Sequence, residues 1–124
     1  MNNKDENTTI EDLKLIVKEF VQKRNWQIFH TPRNLAESIS IESAELLEIF
    51  QWSSVEDGSM IEYGKIIRER IREELADVFI YLISLSNTME IDIAEAINDK
   101  MKKNENKYPL DEFRGISPKE KITT

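Results

Sequence analysis

Two pairs of acidic residues, each spaced three positions apart, are the part of this sequence best suited to chemistry. They are Glu42 with Glu45 and Glu74 with Asp77. Carboxylates at i and i+3 lie on one side of a helix, and four together offer the all-oxygen ligands that Mg²⁺, Mn²⁺ and Ca²⁺ prefer. The chain has no cysteine and one histidine, which excludes zinc sites built from thiolates or from several imidazoles of one chain.

Helical-wheel positions place both pairs where apolar side chains belong. On a wheel centred on Glu42, a stripe within about 60° contains Leu35, Ile39, Leu46 and Ile49, and Glu45 lies at its edge. A wheel centred on Glu74 has Asp77 at the edge of a similar stripe, made of Ile67, Ile71, Val78 and Leu85. Four buried carboxylates need compensation, and a divalent cation is the natural one.

Other interpretations of the acidic pairs have to be weighed. A single pair of this spacing is usually a solvated helix face, and two such pairs on apolar faces make that interpretation less favourable. A di-iron carboxylate bundle would need a Glu-x-x-His motif on two helices, whereas the single histidine, His30, lies in a predicted connection.

Two lysines near the C-terminal end could bind an anion. Lys100 and Asn104 flank the apolar side of the fourth predicted helix, and Lys107 follows one turn later. Lysines at the edge of a core commonly extend their ammonium groups to solvent. Beside a bound cation they would instead hold phosphate oxygens, which indicates a substrate with several negative charges.

Aromatic residues border the first acidic helix on both sides. Trp26 and His30 precede it, and Trp52 follows it. These side chains either pack against helix ends or form a stacking and hydrogen-bonding pocket for a flat ring such as a nucleobase.

Periodicity and capping residues predict four helices that would position these groups. Their ranges are about 9–24, 31–50, 59–87 and 92–106, with a loop from 51 to 59. No alternating strand pattern occurs, so the sequence predicts an all-α bundle. We expect residues 1–8 to be disordered, residues 9–109 to form one domain, and residues 110–124 to be a C-terminal tail.

Charge and hydropathy narrow the class of protein. With 24 acidic against 17 basic residues, the net charge of -7 argues against non-specific binding to nucleic acid polymers or anionic membranes. The longest apolar run, Val78–Ile83, is far too short to span a bilayer, and the N-terminus lacks the features of a signal peptide. We therefore expect a cytoplasmic protein.

The acidic pairs and their neighbours resemble a known family. Glu42-x-x-Glu45, a spacer of 28 residues and Glu74-x-x-Asp77 are similar to the ExxE…ExxD signature of all-α MazG-like nucleotide pyrophosphohydrolases. The surrounding sequence resembles the dCTP pyrophosphatase branch in Trp26–His30, Pro32–Leu35, Phe50–Trp52, Glu73–Leu82 and Lys100–Pro109. The resemblance covers roughly residues 10 to 109.

The resemblance implies a MazG-like four-helix domain that hydrolyses a nucleoside triphosphate to the monophosphate and pyrophosphate. It implies Mg²⁺, with Mn²⁺ as a possible substitute, held by Glu42, Glu45, Glu74 and Asp77, and Glu45 is our choice for the carboxylate that orients or deprotonates water. It further implies phosphate contacts from Lys100, Asn104 and Lys107 and a base and sugar pocket lined by Trp26, His30, Trp52 and Tyr81.

Assembly and substrate preference also follow from the resemblance. Family members are dimers or tetramers, and Phe79, Ile80 and Ile83, which point away from the acidic face, independently favour a homo-oligomer. We expect dCTP or a modified dCTP as substrate, in a house-cleaning role for the nucleotide pool. The alternatives are a broader or non-canonical nucleotide specificity, a catalytically silent nucleotide-binding oligomer, and a structural helical oligomer.

Overall fold

The structure, a computed structural model, describes residues 2–52 and 64–118. Over these residues the chain forms helices and no strand, which confirms the predicted all-α class. The elements are α1 (Ile10–Lys23), a 3₁₀ helix (Trp26–Phe29), α2 (Pro32–Glu48), α3 (Lys65–Met89), α4 (Ile93–Lys107) and α5 (Leu110–Phe113). The chain divides into two compact units, Met1–Ile91 and Asp92–Thr124.

Side-chain caps begin three of the long helices. Thr9 Oγ1 accepts a hydrogen bond from Asp12 N at 3.0 Å and Asp12 Oδ2 accepts one from Thr9 N at 2.9 Å, which completes the predicted capping box of α1. Thr31 caps α2, with Pro32 in its first turn. Asp92 caps α4 by accepting a bond from the backbone N–H of Glu95.

Helix α3 differs from its predicted range. It begins at Lys65 after Gly64, and the capping box predicted from Ser59 and Glu62 lies outside the described residues. It ends at Met89 because Glu90 adopts a left-handed conformation with φ of 53°, and its N–H bonds to the carbonyls of the last turn. The end predicted near residue 87 is therefore two residues short.

Packing in the first unit places α3 against both other long helices. Helix α2 packs mainly on α3, and α1 packs on α3 and on the 3₁₀ helix. The buried apolar side chains of the described residues are Val17, Leu35, Ile49 and Ile83. Such a small core leaves large apolar side chains exposed, and Phe79 and Ile80 are among them, with 55% and 43% of their surfaces exposed. Ile83 is buried, unlike the two residues with which it was grouped in the sequence.

Polar contacts join α1 to the C-terminal end of α3. Lys14 Nζ donates a hydrogen bond to the carbonyl of Ile91 at 2.6 Å, and Asn87 Nδ2 donates one to the carbonyl of Lys14 at 3.1 Å. Ile91 follows the C-cap Glu90, so the ammonium group lies just beyond the C-terminal end of α3, where a positive charge is favourable.

The second unit consists of α4 and a short return. Tyr108 ends α4, and its ring makes an edge-to-face contact with Phe113 of α5 at a centroid distance of 5.2 Å. Part of the predicted tail is thus helical, over Leu110–Phe113. Among the helices of residues 2–52 and 64–118, none is both long and apolar enough to cross a membrane.

Candidate functional site

The acidic residues of α2 and α3 meet where these two helices pack together. Carboxylate oxygens of Glu42, Glu45 and Glu74 lie within 4.8 Å of one another. Glu42 and Glu74 are half-buried, as their wheel positions predict, and Glu45 is exposed. Asp77 is also half-buried, and its charge acts on both Glu42 and Glu74. The structure thus brings together the two pairs that are separated by 28 residues in the sequence.

Crowding of these carboxylates changes their acidity. Burial raises the pKa of Glu42 from 4.5 to about 7, reinforced by the neighbouring carboxylate of Glu45 and by the charges of Asp77 and Glu74. Burial also raises the pKa of Glu74, with further contributions from Glu45 and Asp77. Desolvation and mutual repulsion therefore oppose the negative charge of these residues. Glu42, Glu45, Glu74 and Asp77 are hereafter called the acidic cluster.

Two carboxylate oxygens support a divalent cation as the missing compensation. Within the described part of the chain, the buried atoms Glu42 Oε2 and Glu74 Oε2 have no hydrogen-bond partner. Buried polar atoms are normally paired, and an unpaired carboxylate oxygen is especially costly. Close spacing, negative charge and purely oxygen donors fit a hard divalent cation, so the residues present fit the metal that the sequence predicts.

A groove between α1 and α3 contains three of the four residues predicted to line a base and sugar pocket. It has a volume of about 570 Å³ and includes Trp26, His30, Asp77 and Tyr81 in its lining. Trp26 is fixed by an edge-to-face contact with Phe20, at a centroid distance of 5.8 Å. Asp77, whose charge acts on Glu42 and Glu74, is shared by the groove and the acidic cluster.

Hydrogen bonds to α2 and α3 fix the segment that contains His30. Its carbonyl accepts a hydrogen bond from Thr88 Oγ1 on α3 at 3.4 Å, and the preceding carbonyl, of Phe29, accepts one from Asn34 Nδ2 on α2. The 3₁₀ helix begins after Asn25, whose φ of 51° is a left-handed value that asparagine tolerates better than most residues. The predicted connection between α1 and α2 therefore contains an ordered 3₁₀ helix, which positions Trp26 and His30.

Four further site residues were predicted from the sequence. Trp52 follows α2, has 93% of its surface exposed and does not line the groove. Lys100, Asn104 and Lys107 belong to α4 in the second unit, where Lys107 Nζ lies 5.4 Å from the centroid of the Tyr108 ring. Their contact with phosphate stays a prediction.

Ser84, which lines the same groove as His30 and Tyr81, was not among the site residues predicted from the sequence. A signal for it was present, because on the wheel centred on Glu74 Ser84 falls at about 280°, next to Asp77 at about 300°. Serine is ordinary within a helix, so its type alone gave no reason to select it.

The chain is all-α over its described residues and has the acidic cluster between α2 and α3. Sequence comparison identifies its family. The model of the MazG-like family matches residues 37–121, so the chain belongs to the MazG-like family. It is 37% identical to dCTP pyrophosphatase 1 of Mus musculus over 111 residues and 40% identical to that of Homo sapiens over 113 residues. These matches cover 90% of this chain and 65% of each relative, so the chain spans slightly less than two thirds of their length.

A solved structure is similar over a larger share of its own length. The crystal structure of a pyrophosphatase from Archaeoglobus fulgidus is 46% identical in sequence and superposes with a TM-score of 0.73. The match covers 88% of this chain and 97% of that one.

Proposed function

We propose that the protein is a Mg²⁺-dependent nucleoside triphosphate pyrophosphohydrolase that produces a nucleoside monophosphate and pyrophosphate. The observation that carries this proposal is the convergence of Glu42, Glu45 and Glu74 within 4.8 Å. Asp77, whose charge acts on this group, also lines the groove with Trp26, His30 and Tyr81. The relatives named dCTP pyrophosphatase 1 support dCTP, or a modified dCTP, as the preferred substrate.

The carboxylates would hold the cation from two helices. Glu42 and Glu74 each present a buried oxygen that lacks a protein partner among the described residues, and Asp77 adds negative charge beside them. A bound divalent cation supplies charge neutralisation on the phosphate oxygens and activation of water for in-line attack. With a divalent cation bound, the acidic cluster would therefore accept a polyanion that the carboxylates alone would repel.

Glu45 is the carboxylate placed best to orient or deprotonate the attacking water. It is exposed, whereas Glu42 and Glu74 are half-buried, so a water molecule reaches it without displacing packed side chains. Glu45→Gln should lower kcat far more than it changes KM, because a water-positioning group acts in the transition state. Glu48→Gln on the exposed surface of the same helix is the matched control.

The substrate's nucleoside part would occupy the groove between α1 and α3. Trp26 and Tyr81 offer aromatic surfaces and His30 a directional hydrogen bond, which suits a planar base and its sugar. By the family resemblance, Lys100, Asn104 and Lys107 would contact phosphate oxygens, and Trp52 would complete the base pocket. We also infer a homo-oligomer, since half-exposed Phe79 and Ile80 provide apolar surface for a second copy, and a cytoplasmic location where nucleotides are abundant.

A panel of nucleoside triphosphates with Mg²⁺ tests the proposed activity. Pyrophosphate should be released from at least one deoxynucleoside triphosphate, with dCTP turned over most efficiently, and single phosphate should not appear. No turnover of any nucleotide with either Mg²⁺ or Mn²⁺ would disprove the enzyme and favour a nucleotide-binding module. Comparable turnover across the panel would instead support the broader or non-canonical specificity.

A further inference from the structure

Ser84 on α3 has a buried hydroxyl group that the proposed mechanism does not use. Only 4% of its surface is exposed, and Ser84 Oγ has no hydrogen-bond partner within the described residues. Ser86, two residues later and also buried, donates from its hydroxyl to the carbonyl of Ile83 at 2.7 Å. Serine in a helix commonly satisfies itself in this way. Ser84 therefore keeps an unused donor and acceptor at a cost to the fold.

The surroundings of Ser84 indicate where its partner would come from. Ser84 and His30 both line the groove between α1 and α3, and both line a smaller cavity of about 160 Å³ beside it. Several polar side chains border that cavity, among them Gln27, Asn87 and Thr88. Near Ser84 the groove is walled by apolar Val17 and Ile83, so a ligand group there finds few other polar partners.

The order of side chains along α3 indicates which part of the substrate lies near Ser84. Asp77, Tyr81 and Ser84 follow one another on one face, at spacings of four and three residues. Ser84 lies two turns beyond Asp77, about 10.5 Å along the helix axis. If the phosphates are held at the acidic cluster, the opposite end of an extended nucleotide, which is its base, reaches Ser84.

We propose that Ser84 Oγ hydrogen-bonds a polar edge of the substrate's nucleobase and so contributes to base selection. This inference rests on the proposed function, since it takes the triphosphate to be bound at the acidic cluster. A hydroxyl both donates and accepts, and rotation about its single torsion directs it to either kind of base atom. Binding of the correct base would satisfy a group that the free protein leaves without a partner.

Binding measurements on Ser84→Ala and its matched control Ser86→Ala test the inference with Mg²⁺ present. The probes are dCMP, 2-deoxyribose 5-phosphate, which has no base, and inorganic tripolyphosphate. Losing one hydrogen bond should weaken dCMP binding to Ser84→Ala by about 2- to 12-fold and leave the other two probes unchanged. For dCTP turnover, KM should rise with kcat retained, and Ser84→Thr should restore it. Ser86→Ala should bind dCMP as the wild type does.

Thermal unfolding without ligand provides an independent readout. Ser84→Ala should melt at or above the wild-type temperature, because it removes a buried hydroxyl without a partner, whereas Ser86→Ala should melt lower. Unchanged dCMP binding in Ser84→Ala, an equal loss for 2-deoxyribose 5-phosphate, or destabilisation equal to that of Ser86→Ala would each overturn the inference. If the wild type turns over dCTP and Ser84→Ala is indistinguishable from it, this inference alone falls. A wild type that binds tripolyphosphate but no nucleotide overturns the proposed function as well.

Discussion

Cation binding at the acidic cluster should depend steeply on pH between pH 6 and pH 8. Glu42 must lose its proton to bind a cation, and its pKa is raised to about 7 by burial and by Glu45. Proton competition then weakens apparent affinity by about 11-fold at pH 6 and about 1.1-fold at pH 8, a ratio of about ten. With the ordinary pKa of 4.5, the same pH change would alter affinity by less than about 5%.

Isothermal titration calorimetry of Mn²⁺ at the two pH values checks this ratio. At pH 7, repeating the titration in buffers of different ionisation enthalpy should show release of about half a proton per cation from Glu42. The raised pKa of Glu74 acts in the same direction. Glu42→Gln should flatten the pH profile, and Glu48→Gln should leave it unchanged. Equal affinity of the wild type at pH 6 and pH 8 would refute the argument that Glu42 competes for protons at the cation site.

Two further predictions concern stability and assembly. In the metal-free protein, Glu42→Gln should raise Tm by a few degrees at pH 8 and by little at pH 5. A carboxylate whose pKa is raised in the folded state loses its stabilising contribution as pH rises from 4.5 through about 7. A lower Tm for the variant at pH 8 would contradict repulsion among the carboxylates. Phe79→Lys should shift the sedimentation coefficient toward that of the monomer, because it places a charge on an apolar surface proposed to face a second copy. Arg68→Ala is the control and should leave the coefficient unchanged. A wild type that is monomeric at every concentration would exclude the oligomer.

The periodic parts of the structure could be predicted from the sequence. Thr9 and Thr31 mark where α1 and α2 begin, because capping is local chemistry between residues three apart. The wheel places Glu42 and Glu74 inside an apolar stripe, and both are half-buried. Glu45 and Asp77 share the edge position, but Glu45 is exposed and Asp77 half-buried, so exposure at the edge depends on the neighbouring packing. These two properties were sufficient to predict the acidic cluster.

Features that depend on non-helical backbone or on distant contacts could not be predicted. The 3₁₀ helix is only four residues long, too short for a periodic signal. Helix α3 continues two residues past its predicted end and stops before Glu90, which is an unusual residue for a left-handed C-cap. The missing partner of Ser84 Oγ is a property of packing, and nothing in the neighbouring sequence specifies it.

The contacts at the last turn of α3 have a dynamic consequence. Asn87 and Thr88 reach Lys14 of α1 and the carbonyl of His30, while Lys14 holds the carbonyl of Ile91. Unravelling that turn would break the hydrogen bonds to α1 and to the His30 carbonyl together, so amide protons there should exchange as one cooperative group. The acidic cluster lies three to four turns earlier on α3, and its backbone can stay protected while the groove opens. If the proposed substrate binds in this groove, its base would enter without disruption of the proposed cation site.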